Sequence, residues 1–423
     1  MKEKALPEGW VETTLADVVK IVRGVSYKKE QSSNEPLENY LPILRASNIK
    51  DEYLNFDELV YVQSELIKAE QKIKKNDVLV AMSSGSKLVV GKTARAEQNI
   101  EMGFGVFCAI LRPNTDIEPK LVSQFTQSAY YRSEISRLSA GGTINNLKPA
   151  YFKEIIFPLP PLETQQKLAK KFTVLLSQVA EIKQRLEKIP ALLKTYRQSV
   201  LARAVNGELS AKWREENGVS LESWVYEKAQ HICDKVQSGS TPKGNPFEQN
   251  GTIPFLKVYN IVNQELNFDY KPQFVTKEQH SQRSITLPND VLMNIVGPPL
   301  GKVAIVTNQY SEWNINQAIT LFRCNPRNLH YKFFYFVLRE GRFIREIEHD
   351  LKGIVGQINI SLSQCRDMIV PVPTLEEQNY ITQAVEKHLN FANQLEAQVN
   401  AALERVNLMT QAILAKGFRG ELL

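Results

Sequence analysis

Lysines set among glycine, serine and asparagine are the side chains of this sequence best suited to chemistry, and that chemistry is recognition of phosphate and base edges. They gather in segments that read as loops: Lys28-Lys29, Ser83-Ser84-Gly85-Ser86-Lys87, Gly91-Lys92, Asn145-Asn146-Leu147-Lys148, Thr241-Pro242-Lys243-Gly244 and Gly301-Lys302. Ammonium groups position a phosphate backbone, while hydroxyls and amides hydrogen-bond base edges. The candidate contacts are Lys28, Lys29, Ser83, Ser84, Ser86, Lys87, Lys92, Asn145, Asn146 and Lys148 in the first half of the chain, and Lys243, Lys302, Gln357 and Asn359 in the second. Each alone also reads as a solvated loop residue, and the asparagines as turn residues that tolerate a left-handed backbone. Their recurrence at matching places in both halves favours recognition. The net charge of +6 is modest for 423 residues, so placement carries more weight than the total.

Other chemistries find no complete motif. From Gly85 to Gly91-Lys92-Thr93 the chain resembles a phosphate-cradling P-loop, but five residues separate the glycines where that loop has four, and Gly297 to Gly301-Lys302-Val303 is shorter and lacks the hydroxyl for magnesium. Asn245-Pro246-Phe247 is similar to part of the loop that amino-methyltransferases use on a flipped base, yet the second proline is missing. No Ser/His/Asp set or carboxylate pair stands out. The four cysteines are far apart and read as reduced, buried thiols, and the five histidines form no metal-ligand spacing. No apolar stretch is long enough to span a bilayer and no signal-peptide region follows Met1, so a cytoplasmic protein without a membrane partner is expected.

The elements that must position these loops are written twice. Pro158-Leu159-Pro160-Pro161-Leu162-Glu163-Thr164-Gln165 returns as Pro371-Val372-Pro373-Thr374-Leu375-Glu376-Glu377-Gln378, and Val200 to Leu209 returns as Ile413 to Leu422. Pro158 and Pro371 lie 213 positions apart, as do Gly207 and Gly420, so the duplicated element has kept its length. Apolar residues at Leu168, Phe172, Leu175, Val179, Ile182, Leu186, Ile189, Leu193, Tyr196 and Val200 alternate steps of four and three. The second copy repeats the stripe from Ile381 to Ile413, interrupted only by His388, beside which Leu389 can substitute. Such a run is a seam for another helix, longer than a helix covering its own domain needs. Pro161 suits a first turn, Thr374 and Glu377 have capping-box spacing, the two glycines mark the ends, and Pro190 should kink or split the first helix.

The segments before the two helices share a plan. Trp10 matches Trp224; Leu41-Pro42-Ile43-Leu44 with Asn48-Ile49 matches Ile253-Pro254-Phe255-Leu256 with Asn260-Ile261; Asn76-Asp77-Val78-Leu79 matches Asn289-Asp290-Val291-Leu292. Buried strands are expected at Val78 to Met82, Phe107 to Leu111, Val291 to Val296 and Ile319 to Phe322, with helical spacing following over Lys120 to Leu138 and Tyr331 to Ile347. The fold class is therefore α+β: two α/β target domains separated by two long antiparallel coiled-coil helices, with a pseudo-twofold internal repeat. The expected boundaries are 1–157 and 210–369 for the two domains, and 158–209 and 370–423 for the spacer helices.

With Leu6-Pro7-Glu8-Gly9-Trp10 at the start and both helix signatures in the order domain, helix, domain, helix, the chain resembles the specificity subunit (HsdS) of type I restriction-modification systems. Its first segment, through Arg23 to Gln31 and Ala81 to Lys87, is similar to the enterobacterial type IA group. The resemblance implies a non-catalytic subunit whose two target recognition domains each read half of a split site in double-stranded DNA. It implies two modification (HsdM) subunits that dock on the spacer helices and methylate adenine N6, and restriction (HsdR) subunits that join for cleavage. S-adenosylmethionine, ATP and magnesium would sit on those partners, none on this chain. The alternative is a non-enzymatic bivalent DNA-binding scaffold of another complex, which the conjunction of both helix starts with both Gly-Glu-Leu ends disfavours.

Overall fold

The computed structural model describes residues 6–50, 53–139, 145–244, 247–248, 251–350 and 359–423. The chain forms two compact units, residues 1–187 with 400–423, and residues 188–399. The division falls inside the long helices, so each unit unites one α+β domain with portions of both.

The two domains share a strand order. In the first, Thr93–Arg95, Val78–Ala81, Cys108–Pro113 and Val19–Arg23 lie side by side in that order as an antiparallel sheet. In the second, Val303–Ile305, Val291–Asn294, Ile319–Cys324 and Cys233–Ser238 repeat it. The central strands are buried on both faces, Val78, Val80, Leu292 and Leu321 at 1% exposure or less, as their uninterrupted apolar runs require. The Asn-Asp pair before each central strand has a specific task. Asn76 and Asn289 take positive φ at the turn, and Asp77 and Asp290 receive bidentate ion pairs from Arg112 (2.7 Å) and Arg323 (2.9 and 2.8 Å) on the neighbouring strand. Cys233 and Cys324, remote in sequence, are opposite partners across the second ladder, and all four cysteines are free.

A second, smaller sheet pairs Tyr40–Leu44 with Gly103–Phe104, parallel, and with Val60–Gln63, antiparallel. Its counterpart joins Ile253–Leu256 to Asn314–Ile315 and Phe274–Val275 in the same senses. Each of the two stretches with helical spacing is two helices, Pro119–Thr126 with Ala129–Ser139 and Tyr331–Glu340 with Arg342–Asp350. In the first domain Ser128 Oγ accepts the Tyr131 N–H at the break, and in the second Gly341 ends the helix at φ +84°.

The repeated helices run Leu162–Val205 and Leu375–Phe418, 44 residues each, and the first passes through Pro190 without being split. They run antiparallel in both units. In the first, Phe418 lies 5.3 Å from Phe172, ring centre to ring centre, and a Cβ on Gly417 would meet Phe172 Cζ at 2.1 Å. In the second, Tyr196 Oη hydrogen-bonds His388 Nδ1 at 2.6 Å and Arg197 reaches Asn393 and Glu396. His388, the interruption in the stripe, is thus a polar pair across the seam, with Leu389 buried beside it. The stripe also serves the domains: Leu168, Phe172, Leu414 and Phe418 complete the core of the first, and Val200, Ala204, Ile381 and Val385 that of the second. Ile182, in mid-seam, is 45% exposed.

Two repeated glutamines fasten domain to helix. Gln165 and Gln378, both buried, each donate to the carbonyl five residues back (Pro160, 3.0 Å; Pro373, 2.8 Å) and accept from the backbone of Glu118 or His330, the residues that begin the domain's own helix. One step inward, Gln411 bonds Gln127 and Ala129, and Gln198 bonds the Glu340 carbonyl, at the two helix breaks. Glu377 completes only half of the expected capping box. Its N–H donates to Thr374 Oγ1, but its buried carboxylate accepts from Ser210, Arg214 and Trp224 at 2.7, 2.7 and 2.9 Å.

Candidate nucleic-acid interface

Three segments converge at the end of the central strand of the first domain. Ser83–Ser84 pairs antiparallel with Asn145–Asn146, Ser84 opposite Asn145 and Ser83 opposite Asn146. The Met82 and Ser83 N–H groups both donate to the Phe107 carbonyl, at 2.8 and 3.3 Å, and Leu147 N–H donates to the Met82 carbonyl. Residues 61 and 63 positions apart in sequence therefore share one edge, with Lys148 exposed immediately beyond it. Ser84 and Ser86 hydroxyls accept from the backbones of Ser86 and Leu88, shaping the turn that exposes Lys87. The Arg132 guanidinium holds that turn from below through the Leu88 and Val90 carbonyls.

Lys28 and Lys29 are exposed on a loop anchored beside the same place. Val25 N–H donates to the Phe104 carbonyl at 2.7 Å, and Gly24 lies so close to Gly105 that a Cβ would fall 2.1 Å from its oxygen. Between loop and edge is a cleft of about 640 Å³ lined by Tyr27, Arg45, Ser47, Ser83, Val106 and Phe107, among others. Lys92 is half-buried at the foot of the 86–91 turn, its backbone spent on Ala81 and Val89. Gly91, one of the P-loop-like glycines, takes φ +74° against Ile135, and Gly301 does the same against Ile344. Both are packing glycines beneath a helix.

The second domain repeats the frame. Val296 bridges Asn359, Ile360 N–H donates to the Ile295 carbonyl, and Ile295 N–H donates to the Ala318 carbonyl, each at 2.9 Å where a distance applies. Asn359 and Lys243 are exposed, the latter on a loop whose Gly239 abuts the carbonyls of Ile315 and Asn316. Lys302 is half-buried and its N–H donates to Asn294 Oδ1 at 2.6 Å, so it stands at the base of its turn as Lys92 does. Gln357, the glycine turns at 141–144 and 353–358, and Asn245-Pro246 lie outside the described residues.

Reading loops alone missed the cations at the ends of the small sheets. Arg45 follows Leu44 and Lys257 follows Leu256, and each backbone N–H donates to an asparagine three residues on, Asn48 (2.8 Å) or Asn260 (3.0 Å). Lys257 Nζ sits 4.0 Å above the Phe247 ring, and burial lowers its pKa below the ordinary lysine value. The signal was present: each cation comes directly after the aligned Pro-x-Leu strand.

One frame, built twice, sets an exposed lysine near the end of a central strand and an asparagine-bearing segment, an arrangement suited to nucleic-acid contact. Comparison with known proteins gives the family. The profile of the type I restriction modification DNA specificity domain matches residues 7–191 and again 222–405. The chain is 37% identical to the StySPI specificity subunit of Salmonella potsdam and 37% identical to the EcoKI specificity subunit of Escherichia coli, alignments covering 100% of this chain and 91% of each relative. Among solved structures, the HsdS subunit of Thermoanaerobacter tengcongensis superposes with a TM-score of 0.66 at 18% identity, covering 99% of both chains. A chain from a type I R-M system studied for complex assembly and conformational transition superposes at 0.74 and 17% identity, covering 99% of this chain and 100% of that one. The protein belongs to the type I restriction-modification specificity subunits, the non-catalytic DNA-recognition members of those complexes. Among the described residues no helix is long and apolar enough to cross a membrane.

Proposed function

We propose that each α+β domain reads one half of a bipartite, asymmetric site in double-stranded DNA, and that the paired helices set the gap between the halves. The observation that carries this is the repetition in both domains of one convergence, the end of the central strand meeting an asparagine-bearing segment. A 44-residue helix is about 66 Å long, enough to hold half-site centres one DNA turn, about 34 Å, apart. The readers are residues 1–157 and 210–369; the helices of 158–209 and 370–423 dock two modification (HsdM) subunits that bring S-adenosylmethionine and methylate adenine N6. Restriction (HsdR) subunits, with ATP and magnesium, join for cleavage in the cytoplasm. Val174, Leu192, Phe391 and Leu408, 55% to 70% exposed along the helices, supply apolar surface for such docking.

Co-expression with the modification subunits, followed by genome-wide mapping of N6-methyladenine, tests the reading. One split motif is expected, with no methylation from this chain alone. Methylation by the isolated chain, or a contiguous motif, would contradict it. In the assembled complex, Lys87→Ala and Lys148→Ala should each lower affinity and reduce the salt slope of binding by about one.

A further inference from the structure

The two cation-bearing strand ends face turns that share a backbone and differ in chemistry. Gly105 N–H donates to the Leu44 carbonyl at 2.9 Å, and Asn316 N–H donates to the Leu256 carbonyl at 3.1 Å. Two residues on, the carbonyls of Phe107 and Ala318 accept from Met82 and Ile295 at the ends of the central strands. Gly105-Val106-Phe107 and Asn316-Gln317-Ala318 therefore occupy the same three positions of the frame.

In the first domain Val106 and Phe107 are 49% and 63% exposed at the cleft that also holds Arg45. One Arg45 Nη donates to the Glu58 carbonyl at 3.2 Å, while its Nε is buried with no hydrogen-bond partner. Exposed apolar surface at a concave site is unfavourable until a ligand covers it, and the unpaired Nε leaves the guanidinium beside it with hydrogen-bonding capacity unused. In the second domain the turn is amide-bearing: Gln317 is exposed and accepts from the Thr241 hydroxyl, and Asn316 Oδ1 is buried without a partner.

We propose that these two turns, with the cation beside each, determine the bases of the two half-sites. The inference rests on the bipartite reading and assigns its chemistry. Arg45 with Val106 and Phe107 suits a guanine edge next to a thymine methyl, because a guanidinium pairs with O6 and N7 and an apolar side chain packs on the C5 methyl. The exposed Gln317 suits an adenine edge, whose N6 and N7 match a side-chain amide. One frame thus yields two unlike half-sites.

The test uses the full chain with its modification subunits and three variants, Arg45→Gln, Phe107→Ala and Gln317→Ala, each scored by mapping N6-methyladenine. A wild-type complex that shows no split motif would defeat the bipartite reading itself. Given such a motif, Arg45→Gln and Phe107→Ala should relax one or two positions of one half-site by about 5- to 150-fold and spare the other, and Gln317→Ala should do the reverse. Unchanged motifs in all three variants, or equal decay of both halves, would overturn the assignment. For a variant that methylates nothing, competition binding to duplexes carrying each base pair at each position replaces the sequencing. Loss confined to one half-site's preference supports the proposal, and equal loss on every duplex overturns it.

Discussion

Replacing Gly417 by alanine should destabilise the first unit, and shortening its neighbour should restore it. The new methyl would stand 2.1 Å from Phe172 Cζ and 2.4 Å from Cε1, against a ring that is fully buried and packed on Phe418. Backbone on one side and an aromatic core on the other leave the ring no route outward, so overpacking costs about 3 kcal/mol, the upper part of its usual range. Alanine's helix preference returns at most about 1 kcal/mol, less near a helix end. The net loss is about 2 kcal/mol, or roughly 30-fold in amide protection. The other repeat shows the compensation, because Ala204 and Val385 stand where Gly417 and Phe172 do after the 213-residue shift, and both are buried. Phe172→Val alone should cost about 2 kcal/mol by leaving a cavity. The double variant should lose less than either single change, about 1 kcal/mol, which is a coupling of about 3 kcal/mol against the sum of the singles. Hydrogen exchange with mass spectrometry resolves the first unit from the second, which bulk unfolding of two units cannot do. A double variant as unstable as the sum of the singles would refute the packing argument.

The same repeat offset aligns Glu377 with Thr164, and the two should respond differently. Glu377→Ala strands the Arg214 guanidinium in a buried site and should cost about 3–5 kcal/mol in the second unit, whereas Thr164→Ala should stay within about 0.5 kcal/mol; equal effects by hydrogen exchange would show that the ion pair is not what holds that junction. Burial pushes the Cys108 and Cys365 thiols up to about 12. Both are therefore neutral at pH 8, and iodoacetamide should label them only after denaturation, with native labelling at the denatured rate as the contrary result.

Periodic features were legible in the sequence because helices and buried strands repeat over short distances. The long helices and the middles of the central strands follow from spacing alone, although Phe107 and Val296, read as buried strand residues, lie beyond the strand ends and are exposed; the matched Asn-Asp pair marked the common frame but not its turn. Where the outcome depended on a partner far away in sequence, it was not. Apolar spacing runs unbroken through Gln127 and Gly341, and the breaks there become visible only with Gln411 and Gln198 bonded to them. Pro190 suggested a kink or a split, and the helix is not split there. Among the candidate contacts, Ser83, Ser84, Asn145 and Asn146 do share an edge, while Lys92 and Lys302 are drawn to the feet of their turns by Gly91 and Gly301 packing on helices. Arg45, Val106 and Phe107 meet through the pairing of strands 60 residues apart, which no local pattern encodes.

The measurement that bears most directly on the account is the recognition gap of a lengthened chain. Seven residues inserted at the middle of both repeated helices keep the apolar seam in phase and extend each helix by about 10 Å, roughly three base pairs of B-DNA rise. Methyladenine mapping of the complete system should then return both half-sites unchanged with a gap about three base pairs longer, and an insertion of two residues, which turns the seam away from its partner, should abolish methylation. An active lengthened variant whose gap stays at the wild-type value would contradict the claim that the duplicated helices set the distance between the readers.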